Sequence, residues 1–208
     1  MSNFYLIGLV GTIGSGKSTV LKMLTQLGAR GIDADALAHQ VMRRGSPAWQ
    51  NIVDTFGKDI LQADGRINRR RLGAHVFSDP TALKKLESIV HPAVRELTLQ
   101  TLRRNRKPVV VIEAIKLLES GMARWCDALW AVTCAPDIQI ERIVRTRHMR
   151  EQDARTRLAA QKSLAEKFRR AQVIIDNSGK SAATRAQVLR AWKTIDVQNA
   201  RDKRAWLK

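Results

Sequence analysis

The sequence predicts an α/β fold with three layers, in which helices cover both faces of a parallel β-sheet. Short apolar runs rich in β-branched residues alternate along the chain with longer segments of helical spacing, and this alternation requires crossover connections between parallel strands. The first apolar run also leads directly into a glycine-rich loop and then into a helix. At 208 residues, we expect one domain, built from the core of the sheet, an inserted helical lobe and a helical lid.

Five segments are predicted to be strands because each is a short apolar run of the length that strands have. They cover residues 4–10, 29–32, 108–113, 128–133 and 173–175. The third and fourth runs are almost continuously apolar, which is typical of central strands that are buried on both faces.

Helices are predicted between these strands from apolar spacing and from residues that begin or end helices. A helix boundary is expected at His91-Pro92, because proline lacks the N–H group that a helix interior requires. The stretch between the second and third strands contains only helical segments, which begin near residues 35, 48, 69, 80 and 93. Later helices are predicted from residue 136, over 152–161 and around residue 188.

These elements give the expected organisation of the domain. The core comprises residues 1–45, 107–136 and 171–197, the helical lobe about 46–106, and the lid about 137–170. The charged tail, residues 198–208, is expected to be frayed.

The chain is strongly basic, with 37 Lys and Arg residues against 19 Asp and Glu residues and a net charge of +18. Such a field attracts anionic substrates, nucleic acids or acidic membranes. Aromatic residues make up only 5% of the chain, which disfavours a platform for stacking single-stranded bases. No apolar run approaches the ~20 residues of a membrane span, and the two cysteines are too few for a disulfide framework. We therefore expect a cytoplasmic, monomeric enzyme, with no membrane partner and no nucleic acid as its primary partner.

The glycine-rich loop, residues 11–19, has the spacing G-x-x-x-x-G-K-S. Its glycines let successive backbone N–H groups surround a polyphosphate, and the helix that follows directs its positive end at the same anion. Lys17 can reach the β- and γ-phosphates, and the Ser18 hydroxyl can bind Mg²⁺. The sequence therefore predicts that a nucleoside triphosphate binds through the following residues: Gly14, Ser15, Gly16, Lys17, Ser18 and Thr19.

Carboxylates follow two of the predicted strands. Asp33 ends the second strand, at the edge of the sheet where ligands bind in open α/β folds. It can accept a proton from a substrate hydroxyl, or it can cap the next helix, and the spacing does not choose between these roles. Asp35 is a weaker candidate for the first role, since capping is favoured there. Glu113 ends the third strand, where it is either an acidic partner of Mg²⁺ or a loop charge.

Basic side chains are concentrated in the predicted lid. Arg142, Arg145, Arg147 and Arg150 lie within nine residues, and guanidinium groups on a lid can neutralise the charge of a transferring phosphoryl group. A solvated basic helix is the alternative.

Taken together, these segments resemble the dephospho-CoA kinase family over residues from about 5 to about 190. The loop is shared with many kinases, whereas other segments are more specific. They are Ile32-Asp33-Ala34-Asp35, Gly65-x-x-x-Arg69-x-x-Leu72, His91-Pro92, Leu117-Leu118-Glu119, Ala159-Ala160-Gln161 and residues 174–179.

The resemblance implies a P-loop kinase fold and transfer of the ATP γ-phosphate to the ribose 3′-hydroxyl of dephospho-CoA, with Mg²⁺ as cofactor and CoA and ADP as products. It implies that Asp33 is the base at that hydroxyl and that Arg142 belongs to the lid. It places Asn177 near the adenine. The residues implied on the acceptor side are Arg69, His91 and the 113–119 loop with Leu117.

The chain departs from the family pattern in three places. Thr12 stands where the family commonly has glycine, which requires a negative φ. The segment 112–119 differs from the commoner form. Thr146-Arg147-His148 replaces the usual lid Arg-Asp-Gly, so either Arg145 or Arg147 supplies the charge. The alternatives are another nucleoside or small-metabolite kinase and, in a different class, an NTPase stimulated by nucleic acid.

Overall fold

The computed structural model describes residues 4–159, 168–203 and 207. It contains a five-stranded sheet with the order β2-β3-β1-β4-β5, in which every neighbouring pair is parallel. The strands are β1 (Tyr5–Gly11), β2 (Arg30–Asp33), β3 (Val109–Glu113), β4 (Ala128–Thr133) and β5 (Val173–Asp176). Each strand end lies within one residue of its predicted position, and the predicted α/β fold with a parallel sheet flanked by helices is confirmed.

Helices connect the strands. They are α1 (Lys17–Gln26), α2 (Ala34–Val41), α3 (Pro47–Phe56), α4 (Arg69–Phe77), α5 (Pro80–Arg103), α6 (Pro136–Arg147), α7 (Glu151–Ala159) and α8 (Ser181–Trp192). Short 3₁₀ turns lie at Lys58–Ile60 and Met122–Trp125. The end of the helix predicted over residues 152–161 lies outside the described residues. None of the helices in the described segments combines the length and apolarity of a membrane span.

The core follows from the apolar strands that the sequence marks out. Every residue of β3 is buried, and so are all residues of β4 except the last. Leu9, Val111 and Trp130 of the sheet form one cluster with Val20 of α1 and Val188 of α8. Burial of such side chains contributes about 1.5–3 kcal/mol each, so the sheet and these two helices form a stable base for the loops at its carboxyl edge.

The chain divides into two compact units. One comprises Met1–Asp33 with Asn105–Lys208 and holds the sheet, and the other comprises Ala34–Arg104 and holds α2 to α5. The helical unit thus begins at Ala34, whereas the lobe is predicted to begin at residue 46. The difference arises because α2 packs against α5, an association between helices that periodicity within α2 cannot reveal.

Helix α5 continues through Pro92, so the boundary predicted at His91-Pro92 is wrong. Pro92 is exposed, and so is Ser88, whose carbonyl lies four residues earlier, so water can replace the missing N–H donor. The buried residues keep helical spacing on both sides of the proline: Ala82, Val90, Val94, Thr98 and Leu102. This continuous buried face stabilises the helix more than one lost hydrogen bond destabilises it.

The described part of the C-terminal tail is anchored rather than frayed. Lys203 Nζ lies 2.7 Å from Asp127 Oδ2, and both side chains are almost completely buried. The other carboxylate oxygen of Asp127 accepts a hydrogen bond from the backbone N–H of Arg201 at 2.7 Å, and Asp127 Oδ2 also accepts one from Leu6 N. The expectation of a frayed tail is therefore wrong for these residues, because a distant carboxylate pairs with them.

We expect Lys203→Met to lower the free energy of unfolding by about 3–5 kcal/mol, because it leaves the buried Asp127 carboxylate without its cation. A difference of this size corresponds to a loss of roughly 6–20 °C in Tm for a chain of this length. Thermal unfolding followed by circular dichroism measures it. Arg155→Met is the control, since Arg155 forms an exposed pair with Glu151 and should cost at most about 1 kcal/mol. Equal losses in the two variants would contradict the prediction.

Candidate active site

The loop after β1 has the backbone of an anion-binding loop. Gly14 and Gly16 have φ of 75° and 89°, backbone angles that residues other than glycine rarely adopt. Space is also short, since a Cβ on Gly16 would overlap Asn177 Nδ2. Helix α1 begins directly after Gly16, and no side chain caps it, so the N–H groups of its first turn face the loop as donors for an anion.

Lys17 lies inside the bend of this loop. Its side chain is 6% exposed, and its Nζ lies 3.3 Å from the carbonyl oxygen of Thr12. Ser15 N donates to the same oxygen at 3.3 Å. Ser18 and Thr19 are exposed on the first turn of α1. The predicted ligands of the triphosphate therefore lie on one continuous turn, with an ammonium group held at its centre.

The backbone of Thr12 has the negative φ that a threonine at this position of the loop requires. Among the described residues, His148 is the one residue other than glycine with a positive φ. The expectation of a negative φ at Thr12 is therefore confirmed, and threonine occupies this position of the loop without backbone strain.

Two carboxylates lie side by side at the carboxyl edge of the sheet. In the register of β2 and β3, Asp33 is paired with Glu113, and in the register of β1 and β3, Glu113 is paired with Leu9. Both acids are thus level with Leu9, near the end of β1 at Gly11, after which the loop follows. Asp33 is exposed, whereas Glu113 is 7% exposed. The exposed carboxylate is suited to meet a substrate, and the buried one is suited to support it or a cation.

Arg142 of α6 reaches the loop. Its guanidinium donates to the carbonyl oxygen of Asn177 at 2.9 Å and to Cys134 Sγ at 3.3 Å. The Nη1 atom lies 3.5 Å from the position that a Cβ on Gly16 would take. Burial raises the pKa of the Cys134 thiol, and the nearby Arg142 charge offsets this rise only in part. The sulfur therefore accepts the hydrogen bond as a neutral thiol. Among the arginines of the predicted lid, Arg142 is therefore the one that the structure places beside the loop.

Asn177 supports the loop with its side chain. It is 5% exposed, its Nδ2 donates to the carbonyl oxygen of Ser15 at 2.9 Å, and its Oδ1 accepts from Thr184 of α8 at 3.0 Å. A position near adenine, as the resemblance implies, stays a prediction for this residue. What the sequence did not indicate is this contact with Ser15, because 162 residues separate the two positions.

The other lid arginines lie away from these contacts. Arg145 pairs with Glu141 at 3.5 Å on the exposed face of α6. Arg147 is exposed at the last position of the helix, before His148 with its φ of 51°. The choice between Arg145 and Arg147 as the source of lid charge stays open.

We expect Arg142→Ala to lower kcat about 10²–10³-fold, the effect of removing one preorganised group that stabilises transition-state charge. Arg145→Ala and Arg147→Ala, made in parallel, should each have a smaller effect, and the larger of the two identifies the second arginine. Initial rates at saturating substrates give the comparison. A wild-type kcat in Arg142→Ala would show that this residue does not stabilise the transition state.

The residues predicted on the acceptor side have different surroundings. Arg69 is exposed at the first position of α4, which Asn68 caps, and His91 is half-buried on α5. Leu117 is completely buried, and its Cδ2 would lie 2.6 Å from a Cβ on Gly8. The Leu117 side chain is therefore not accessible for direct contact with an acceptor in this arrangement, whereas its neighbour Lys116 is exposed.

Sequence reasoning missed two groups of residues. One is Gln139 of α6, which has a polar side chain although it is only 2% exposed. The sequence points to this residue only through its position three residues before Arg142. The other is a set of three arginines, Arg43, Arg44 and Arg66, which line a cavity of about 690 Å³ in the helical unit together with Arg69 and Arg70.

A phosphate-binding loop at the carboxyl edge of a parallel sheet, with a lysine inside it and an arginine at its mouth, defines a P-loop phosphotransferase. The dephospho-CoA kinase family model matches residues 5–183, so the chain belongs to the dephospho-CoA kinase family. The dephospho-CoA kinase of Symbiobacterium thermophilum is 44% identical over 191 residues, covering 90% of this chain and 80% of the relative.

Solved structures agree with this assignment. A Thermus thermophilus protein named TT1252 superimposes with a TM-score of 0.82 at 30% identity, over 94% of this chain and 100% of that chain. The dephospho-CoA kinase from Campylobacter jejuni gives a TM-score of 0.67 at 27% identity, over 93% of this chain and 98% of that chain.

Proposed function

We propose that this protein transfers the γ-phosphate of ATP to the ribose 3′-hydroxyl of dephospho-CoA and thereby completes CoA synthesis. The observation that carries the proposal is that the phosphate loop and the exposed Asp33 both lie at the carboxyl edge of the sheet, in a chain of the dephospho-CoA kinase family. The hydroxyl oxygen attacks the γ-phosphorus, the bond to the β-phosphate oxygen breaks, and ADP leaves. The hydroxyl proton passes to Asp33.

The donor side follows from the loop. Backbone N–H groups of residues 14–18 and the N-terminus of α1 bind the phosphates, while the Lys17 ammonium and the Arg142 guanidinium neutralise charge on the transferring group. Asn177 holds the loop through Ser15. These groups position and stabilise charge, which is most of what phosphoryl transfer asks of a protein.

The residues present fit a Mg²⁺ ion that is brought with the nucleotide. The described residues contain no group of three or more His, Cys, Asp or Glu side chains that could hold a metal, and Mg²⁺ in kinases takes most of its ligands from phosphates and water. The exposed Ser18 hydroxyl would hold the ion, and the Glu113 carboxylate lies at the same edge of the sheet. When bound, Mg²⁺ neutralises negative charge on the phosphate oxygens.

The helical unit offers a site for the anionic part of the acceptor. Its basic cavity is lined by Arg69 and four further arginines, and dephospho-CoA carries a pyrophosphate. Arginine pairs with phosphate oxygens through two parallel N–H donors. We therefore assign the pyrophosphate to this cavity.

We expect Arg69→Ala to raise KM for dephospho-CoA about 10- to 150-fold, since one charge-assisted hydrogen bond contributes about 1.5–3 kcal/mol. KM for ATP should stay unchanged. Lys84→Ala, which removes an exposed charge from α5 of the same unit, is the matched control. An unchanged KM for dephospho-CoA in Arg69→Ala would contradict the assignment of the pyrophosphate to this cavity.

The decisive experiment measures ADP release from Mg-ATP with and without dephospho-CoA, together with the mass of the product. The proposal requires strong dependence on dephospho-CoA and a gain of one phosphate. Without stimulation the proposal fails, and a panel of nucleosides, then RNA, becomes the next test. The monomeric state and the cytoplasmic location stay predictions, which light scattering and cell fractionation test.

A further inference from the structure

A buried hydrogen bond ties the phosphate-binding loop to α6. Gln139 Nε2 donates to Thr12 Oγ1 at 2.9 Å, across 127 residues of sequence. Both residues are 2% exposed. A glycine at position 12 would have no hydroxyl to accept this bond, so the bond depends on the threonine side chain.

The backbone of Thr12 also takes part in the hydrogen bonds within the loop. Its carbonyl oxygen accepts from Lys17 Nζ and from Ser15 N. Any shift of Thr12 consequently shifts the acceptor on which the Lys17 ammonium rests. The side chain of Thr12 thus reaches α6, while its backbone reaches the lysine that meets the phosphates.

On the other side of the bond, α6 carries Arg142 three residues after Gln139, so both residues lie on one face of the helix. Arg142 donates to Asn177 O, and Asn177 Nδ2 donates to Ser15 O. The contacts therefore form a closed circuit from the loop through α6 to the end of β5 and back to the loop. The loop and α6 are also packed closely at this point, because a Cβ on Gly14 would lie 2.9 Å from the carbonyl oxygen of Gln139.

We propose that Thr12 and Gln139 are positioning residues for phosphoryl transfer: their hydrogen bond holds α6 in register with the loop, so that Arg142 and Lys17 converge on the same phosphate. This inference rests on the proposed function. Misplacement of a catalytic group by about 1 Å can cost on the order of 10²-fold in rate. The base of the predicted lid is then fixed to the loop.

The test compares Thr12→Val, Gln139→Leu and the double variant. Each single change leaves one buried polar partner unsatisfied, so each should lower both Tm and kcat, with kcat falling about tenfold. In the double variant both partners are apolar, a replacement that is nearly neutral for stability. We expect the double variant to recover Tm while kcat stays about tenfold low and KM for the acceptor stays unchanged.

Recovery of kcat together with Tm would show a merely structural contact and overturn the proposal, as would wild-type kcat in the single variants. Thr12→Ser keeps the acceptor oxygen and should retain kcat even if the apolar variants fold poorly; a tenfold loss there would also count against the proposal. Thr98→Val, at a completely buried threonine that bonds within its own helix, is the control. Failure of the proposed function is distinguishable, since it would appear as absent dephospho-CoA phosphorylation in the wild-type enzyme.

Discussion

Lys17→Ala should lower kcat for phosphoryl transfer by about a thousandfold or more, because it removes the ammonium group that lies inside the predicted phosphate-binding loop. Its Nζ is held at the Thr12 carbonyl and its side chain is buried, so it is preorganised and needs no rearrangement when charge develops on the transferring oxygens. A factor of a thousand corresponds to about 4 kcal/mol of transition-state stabilisation. Steady-state ADP release at saturating ATP and dephospho-CoA measures the effect.

The matched control is Lys22→Ala, which removes an exposed lysine from the same helix and should leave kcat within about twofold. Thermal unfolding of both variants separates loss of chemistry from loss of fold. Unchanged turnover in Lys17→Ala, with the protein folded, would refute the phosphate-loop mechanism.

The parts of the fold that the sequence predicts well are those that local chemistry determines. The run of β-branched residues from 109 to 112 is typical of a central strand, and the structure has β3 there with every residue buried. The loop is equally local, because glycine spacing, lysine and the following helix lie within nine residues. Both predictions hold because no distant residue is needed to produce them.

The errors arise where a distant partner decides the outcome. Pro92 is tolerated because the buried face of α5 continues past it, and the tail is held because Asp127 binds Lys203 and the Arg201 backbone. Such pairings leave no trace in periodicity or composition. Leu117 illustrates the same limit, since its family motif marks the segment near a site but does not reveal that the side chain points into the core.

The candidate site divides in the same way. Residues 14–19 could be assigned from spacing, and Arg142 from the resemblance, whereas Gln139 became visible only through its contact with Thr12. Sequence reasoning finds groups whose chemistry and spacing are distinctive. It misses groups that hold those groups in place, because any buried polar residue of suitable size can do so.

Asp33→Asn should lower kcat by about 10²–10⁴-fold, the usual range for loss of a positioned general base. Asp33 ends β2, is exposed and lies beside Glu113 in the sheet register, so its carboxylate can receive the proton of the ribose hydroxyl. Asparagine keeps the size and the hydrogen-bonding oxygen of aspartate but cannot take up that proton. KM for ATP should stay unchanged, because the phosphates bind through the loop. Rates at saturating dephospho-CoA measure the loss.

The same substitution separates catalysis from helix capping, the other role that the spacing allows for Asp33. Asparagine caps helices about as well as aspartate, so Asp33→Asn should leave Tm unchanged while kcat falls, and Asp33→Ala should lower both. Asp35→Asn tests the neighbouring carboxylate on α2 and should retain turnover. Full activity in Asp33→Asn would show that the hydroxyl needs no base at this position, and a loss confined to Asp35→Asn would transfer the role to that residue. Because capping predicts a change in stability and base catalysis predicts a change in rate, the two measurements together decide which function the carboxylate at the end of β2 performs.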